Sequence, residues 1–329
     1  MGRPLLRPAY PLDESQVVEE VNGMVPQALG LDSRKRRALL REITGWSFAS
    51  PWLVGFLIFT AAPMLSSAVL VMTDWNFIAT PKFVGLDNWR MVFVGDPLVL
   101  HSLSITSIFA VTSVPLQAVL SLTIALLLNQ PIHGLRFFRT VFYLPSVVSG
   151  VALAMLYRWL LSPDLGLINY TLALVGIRGP AWLMDESWAL PALVFTTLWG
   201  IGGMIIIYLA ALQGVPTQLY EAAEVDGARA WDKIWAITVP MISPAVFFQV
   251  VMGLIGAFQQ FVFAQVLTQG GPNNATLFSV LYLYRVAFEQ FRMGFAAAIA
   301  WLLFFVILGV TAVLFRLGGL WVYYEGIVE

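Results

Sequence analysis

The chain has 329 residues, of which 59% are hydrophobic and only 11% charged, with a net charge of −1 and no cysteine. This composition excludes an ordinary water-soluble domain and points to an integral membrane protein. It also excludes disulfides, thiol catalysis and thiolate metal sites.

The first 45 residues carry proline, glutamate and the basic cluster RKRR (34–37), without a long apolar run. They match neither a signal peptide nor a transit peptide and read as a cytoplasmic tail. Beyond them, stretches free of Asp, Glu, Lys and Arg recur, and a bilayer core needs about 20 apolar residues per helix. Trimmed at proline, glycine and polar clusters, they predict six spans near 51–72, 104–128, 138–160, 188–212, 242–267 and 294–316. The fifth stretch is long enough for two spans. Pro240 and Pro244 mark its start and GGPNNAT (270–276) breaks it, so it reads as one helix followed by a short external segment.

Lysine and arginine set the orientation. Twelve lie before the first span, in the second-to-third and fourth-to-fifth connections and at the end of the last span; six lie on the other side. Both termini are therefore expected in the cytoplasm. Trp46, Trp52, Trp75, Trp89, Trp159, Trp182, Trp188 and Trp321 lie close to span ends, as an interfacial belt does. His101 and His133 also lie at span ends, and no H-E-x-x-H is present, so no metal site is expected. No Walker A sequence occurs, so no ATP site of the P-loop type is expected in this chain.

The connection between spans four and five contains EAAEVDGARAWDKIWAITVP (221–240), six of whose twenty residues are charged. Burying six charges at the bilayer centre would cost roughly 2.5–3.5 kcal/mol each, about 15–20 kcal/mol in total, so the stretch lies outside the membrane. Pro216 suits a first helical turn. Leu219, Ala222 and Ala223 share a face beside Glu221 and Glu224, and Gly227 ends the helix. Trp231, Ile234, Trp235 and Thr238 recur at helical spacing on a second short helix, closed by Pro240. Small alanines on an amphipathic helix let a partner approach closely; an ordinary loop packed on its own membrane domain fits the pattern equally well.

The run Glu221-Ala222-Ala223, three residues, Gly227, nine residues, then Ile237, Thr238, Val239, Pro240 resembles the EAA loop of binding-protein-dependent ABC importer permeases. It departs from E-A-A-x3-G-x9-I-x-L-P only by Val239 for leucine. FVGLDNW (83–89), RFFRTVFYLPSVVSGVA (136–152) and LTQGGPNNAT (267–276) further resemble the maltose-type carbohydrate permeases, in particular the MalF-like member of the pair. The resemblance covers roughly residues 46–323. It implies an all-α, six-helix type I permease in a bacterial or archaeal cytoplasmic membrane. A tail over 1–45, a permease domain over 46–323 with the EAA loop at 214–240, and a short cytoplasmic end at 324–329 follow. Glu221, Ala222, Ala223, Asp226 and Gly227 become the residues that dock an ATPase subunit. The implied partners are a second, MalG-like permease, two ATPase subunits carrying ATP and Mg, an extracytoplasmic solute-binding protein, a sugar and membrane lipid, with no nucleic acid.

Two faces within the spans combine small and polar residues. Thr196, Trp199, Gly200 and Gly203 share a face on span four, and Gly253, Gly256, Ala257 and Gln260 on span five. A Trp199 ring could stack on a pyranose and the Gln260 amide could bond hydroxyls; the four glycines fit simple close packing at least as well. The maltose-type permeases bind sugar in the middles of the helices flanking the EAA loop, so the resemblance makes these positions pathway candidates. Ser146 and Ser149 on span three are further candidates, against which stands back-bonding of their hydroxyls to helix carbonyls. GLDNW and GGPNNAT are turn-rich external segments suited to docking a solute-binding protein. A secondary transporter would need ionisable groups within the spans, which contain almost none; an enzyme would need a catalytic constellation, which is absent; a scaffold would not require the EAA spacing.

Overall fold

A computed structural model of the chain describes residues 33–131 and 133–323. The expected tail therefore lies outside the described residues up to position 32, as does the C-terminal end from 324. The rest of the expected tail is helical. Helix α1 (Ser33–Phe56) passes through a π turn (Leu57–Ala61) into α2 (Ala62–Leu70). Leu40–Leu70 forms one span-length apolar helix, longer than the expected 51–72 at its N-terminal end. Two compact units divide the chain, residues 1–66 and 67–329.

Within the second unit, a two-stranded antiparallel ribbon, β1 (Thr73–Asp74) and β2 (Lys82–Phe83), leads into α3 (Asp87–Arg90). The amide of Asn88 donates to the carbonyls of Val71 (2.8 Å) and Thr73 (2.9 Å), and Trp89 packs against the core. Two residues of the GLDNW segment thus brace the fold. The long helix α4 (Pro97–Leu128) starts at Asp96, whose side chain accepts from the backbone N–H of Leu98. Pro97 follows at the first helical position, where a missing N–H costs nothing.

The next three spans are bent, where unbroken helices are expected from apolarity alone. Helices α5 (Leu135–Val147) and α6 (Gly150–Leu160) meet at 99°. Pro145 removes a ladder donor, and Val148 and Ser149 are extended before Gly150. The loop after α6 contains α7 (Leu167–Leu174); its Ile168 and Trp182 pack against the larger core, and Trp182 donates to Asn169 (2.6 Å) and stacks edge-on with Trp188. Span four consists of α8 (Glu186–Thr197), a 3₁₀ turn (Leu198–Gly200) and α9 (Gly202–Gln213), bent by 50°. Its break falls in Gly200-Ile201-Gly202-Gly203, where glycine weakens the helix. Gly202 also lets α9 cross α5: a Cβ there would lie 2.6 Å from the carbonyl oxygen of Phe142 and 2.9 Å from the Cα of Tyr143.

After the polar connection comes α10 (Thr217–Val225), then α11 (Ala230–Lys233), a π turn (Ile234–Thr238) and α12 (Val239–Met241). Helix α13 (Ser243–Phe258) follows at a 65° bend. It stops nine residues short of the expected end at 267, and Gln259, Gln260 and Phe261 form a non-helical break before a π turn over Ala264–Thr268. The GGPNNAT turn is closed by Thr276, which is buried and bonds the Thr268 hydroxyl and the Gly271 carbonyl. Helices α14 (Ser279–Tyr284) and α15 (Met293–Gly318) complete the order.

Two cores hold the second unit. The larger brings Phe109, Leu193, Phe278, Leu281, Phe295 and Ile299 together, with the rings of Phe109 and Phe278 4.8 Å apart. The smaller packs Ala125 and Leu128 of α4 against Ile201, Ile205, Tyr208, Leu212, Val215 and Ile242. Among the described residues, three unbroken helices have the length and composition to cross a membrane, and three bent pairs bring the number to six when each pair is one span.

Candidate functional site

Two sites result, a polar hairpin at the junction of spans four and five and a cavity where the spans break. In the hairpin, Pro216 stands at the N-cap of α10, just outside the first turn expected for it. Gly227 ends α10 with φ +76°, a left-handed conformation that suits glycine. The N–H of Gly227 donates to the carbonyl of Glu224 and that of Ala228 to Ala223. This paired reverse bonding is the Schellman helix stop, which satisfies otherwise orphaned carbonyls. The second arm begins at Arg229, whose backbone N–H donates to the Asp232 carboxylate (3.0 Å).

Two cross-links hold the arms together. Lys233 pairs with Glu224 at 2.7 Å, and Tyr220 hydroxyl bonds Thr238 hydroxyl at 2.9 Å. The ammonium of Lys233 holds the Glu224 carboxyl below its ordinary value, through the hydrogen bond first and its charge second. Tyr220, Ile237 and Met241 anchor the inner side on the smaller core. Glu221, Ala222, Val225, Asp226 and Gly227 face outward, with Ala223 half-buried between the arms. Val225 is 89% exposed, a large apolar side chain presented by a helix that buries no residue. The periodicity of the stretch did not single out Val225. The only signal was an aliphatic residue next to the helix-stopping Asp226-Gly227.

The cavity has a volume of about 430 Å³, within the range of small-molecule sites. Four segments line it: α4 through Phe109, Ser113 and Gln117; the α5–α6 bend through Pro145, Ser146, Val148 and Gly150; span four through Thr196, Thr197, Gly200 and Met204; and α13 with its broken end through Gly253, Gly256, Ala257, Gln260 and Phe263. No charged side chain lines it. Gln117 donates to the Thr197 hydroxyl at 2.8 Å, and Thr196 and Ser146 bond back to helix carbonyls. The Gln260 side-chain oxygen accepts from the N–H of Phe261. The buried Ser113 hydroxyl has no partner among the described residues. Irregular backbone at membrane depth is tolerated where it lines a cavity, and three helix breaks meet here.

The pathway candidates divide accordingly. Thr196, Gly200, Gly253, Gly256, Ala257 and Gln260 line the cavity, whereas Trp199, Gly203 and Ser149 do not. The 3₁₀ turn advances Trp199 by about 120° per residue instead of 100°, so the expected shared face does not survive the break. Trp199 is 62% exposed and borders a separate apolar cavity of about 310 Å³ with Phe195, Leu198 and Tyr157. Ser149 sits at the N-cap of α6 between two lining residues. The packing reading of the glycines holds for Gly253, where a Cβ would lie 3.1 Å from Val114; at Gly200, Gly203 and Gly256 it would meet nothing within 4 Å. Gln117 and Ser113 were missed because they sit one turn apart on an otherwise apolar helix, where serine and glutamine carry no motif.

Known proteins resemble this chain along most of its length. The description "Binding-protein-dependent transport system inner membrane component" matches residues 102–317. The probable ABC transporter permease protein YesP of Bacillus subtilis is 38% identical over 302 residues, covering 90% of this chain and 97% of that one. The lactose transport system permease protein LacF of Rhizobium radiobacter is 35% identical, covering 78% and 87%. Among solved structures, a bacterial ABC transporter involved in import of the acidic polysaccharide alginate superposes with a TM-score of 0.76 at 25% identity, covering 87% of this chain and 98% of that one. With six bent or straight spans, a helix-stop hairpin between the fourth and fifth and this breadth of likeness, the chain belongs to the family of inner-membrane components of binding-protein-dependent transport systems.

Proposed function

We propose that the chain is one of two permease subunits of an ATP-driven sugar importer and forms about half of its translocation pathway. The observation that carries this reading is the uncharged cavity at the helix breaks, which offers hydroxyl, amide and aromatic groups without a fixed charge. That chemistry suits a neutral polyol ring, with Phe263 for its apolar face and Gln117 and Gln260 for its hydroxyls. Relatives named for lactose and for multiple sugars support the substrate class.

The hairpin is the lever. Glu221, Ala222, Val225, Asp226 and Gly227 dock in a groove of an ATPase subunit, which carries ATP and Mg. Both termini and the hairpin lie in the cytoplasm, by the lysine and arginine excess. A solute-binding protein docks on the opposite face, and a second permease completes the pathway. ATP binds one conformation better than the other and so shifts the population between inward- and outward-open states. The rigid part is the Glu224–Lys233 and Tyr220–Thr238 cross-linked hairpin, continuous through α12 with α13 and the cavity wall.

Glu221→Lys tests the lever. The variant is expected to insert normally, to lose co-purifying ATPase subunit and to abolish uptake. Normal ATPase association and uptake would overturn the docking role.

A further inference from the structure

We propose that the Arg139 cavity, on the hairpin side of spans two to four, binds the headgroup of an anionic phospholipid from the inner leaflet. The side of the membrane rests on the orientation proposed above; the site itself rests on geometry. The cavity measures about 280 Å³ and lies between α5 and α9 at the end of α4. Its single charged group is Arg139, with Thr140 and Tyr143 beside it and Phe142, Ile206 and Leu209 as apolar wall.

Three observations converge. First, the guanidinium makes one hydrogen bond among the described residues: Nη2 donates to the carbonyl of Leu128 (3.2 Å), while the buried Nε–H has no partner there. A desolvated donor on a cation is costly unless an acceptor reaches it. Second, no acid lines the cavity. The sequence has no Asp or Glu between Asp96 and Asp164, and the only ion pair among the described residues is Lys233–Glu224. Arg136 and His133 add basic groups to the same junction. Third, the wall opposite the guanidinium is aliphatic and aromatic, and Phe142 and Ile206 are exposed. A phosphate oxygen on Arg139 with an acyl chain along Phe142 and Ile206 satisfies both halves of the cavity. Basic pockets between helices at the cytoplasmic interface take lipid headgroups in this way. A carboxylate supplied by a partner subunit would meet the charge but would leave the apolar wall uncovered.

Native mass spectrometry of the detergent-purified transporter complex tests the site, titrated with phosphatidylglycerol, with phosphatidylcholine and with inorganic phosphate. The wild type is expected to retain one more phosphatidylglycerol than Arg139→Gln, and no extra phosphatidylcholine. The variant's affinity for that lipid should fall about tenfold or more, the worth of one charge-assisted hydrogen bond. Inorganic phosphate should not displace the lipid, because it lacks the acyl chain. Arg139→Lys should bind at an intermediate level. If Arg139→Gln does not assemble, Ile206→Trp fills the cavity from its exposed wall and should lose the same lipid with Arg139 intact. Equal phosphatidylglycerol binding by wild type and these variants, or displacement by phosphate alone, overturns the proposal. Lipid counts do not depend on sidedness, so a failure of the orientation would show separately, as labelling of Arg136→Cys from the outer surface.

Discussion

The crossing of spans three and four can be tested at two adjacent glycines. A Cβ at Gly202 would lie 2.6 Å from the Phe142 carbonyl oxygen and 2.9 Å from the Tyr143 Cα, whereas at Gly203 it would meet nothing within 4 Å. Both glycines sit in the first turn of α9, so Gly→Ala confers about the same helix-propensity gain at each, up to about 1 kcal/mol. That gain cancels in the comparison, and the difference isolates the clash. The obstacle at Gly202 is backbone on both counts and cannot rotate away. Overpacking of this kind costs about 1–3 kcal/mol, so Gly202→Ala should be less stable than Gly203→Ala by that amount. Thermal unfolding of the two variants in one detergent should differ by about 1.5–4 °C, taking about 1.5 °C per kcal/mol for a chain of 329 residues. Uptake should fall with Gly202→Ala as well, because Ser146 borders the same crossing and the cavity. Equal midpoints for the two variants would refute the crossing geometry.

Further outcomes are expected at the two sites. Gly227→Ala forces a Cβ into a left-handed residue at a cost of about 1–2 kcal/mol, so uptake should drop while span insertion is unchanged; Gly227→Asn should be milder. An unaffected Gly227→Ala uptake rate would argue against a rigid helix stop. Gln117→Leu should weaken uptake more than Trp199→Ala, since only Gln117 lines the cavity; the reverse order in a transport assay would move the pathway to the other side of span four. The Glu224–Lys233 link should respond to pH. Glu224 titrates below its ordinary value of 4.5 in the folded hairpin, so the link is intact above that pH and is lost as pH falls through the depressed value. The protection of amides over 217–238, taken relative to their intrinsic exchange rates at each pH, should therefore fall at acid pH, and this fall should vanish in Lys233→Ala; an identical protection profile in both would dismiss the link.

Much of this protein was legible in its residues. Apolar run lengths located the six spans, because a bilayer core imposes one length on every crossing helix. The density of charge in 221–240, with Gly227 and Pro240 as stops, placed a polar hairpin between spans four and five. Glycine at a left-handed stop is a local requirement, readable without knowing any neighbour. The bends were not legible. Pro145, Gly200 and Gly202 are permissive of a break, but whether a permissive residue breaks a helix depends on what passes beside it. Here the backbone of α5 passes within a methyl group of Gly202, and the cavity accepts the freed polar groups. The same dependence reassigned Trp199, since one 3₁₀ turn rotates a face that strict helical periodicity would keep together. Gln117 and Val225 likewise become candidates only from where the packed helices leave a surface open. Composition and spacing thus determine the lengths of the apolar spans and the helix stops, which are one-dimensional constraints. The cavity is a matter of which backbones approach which, and only the packed tertiary structure decides that.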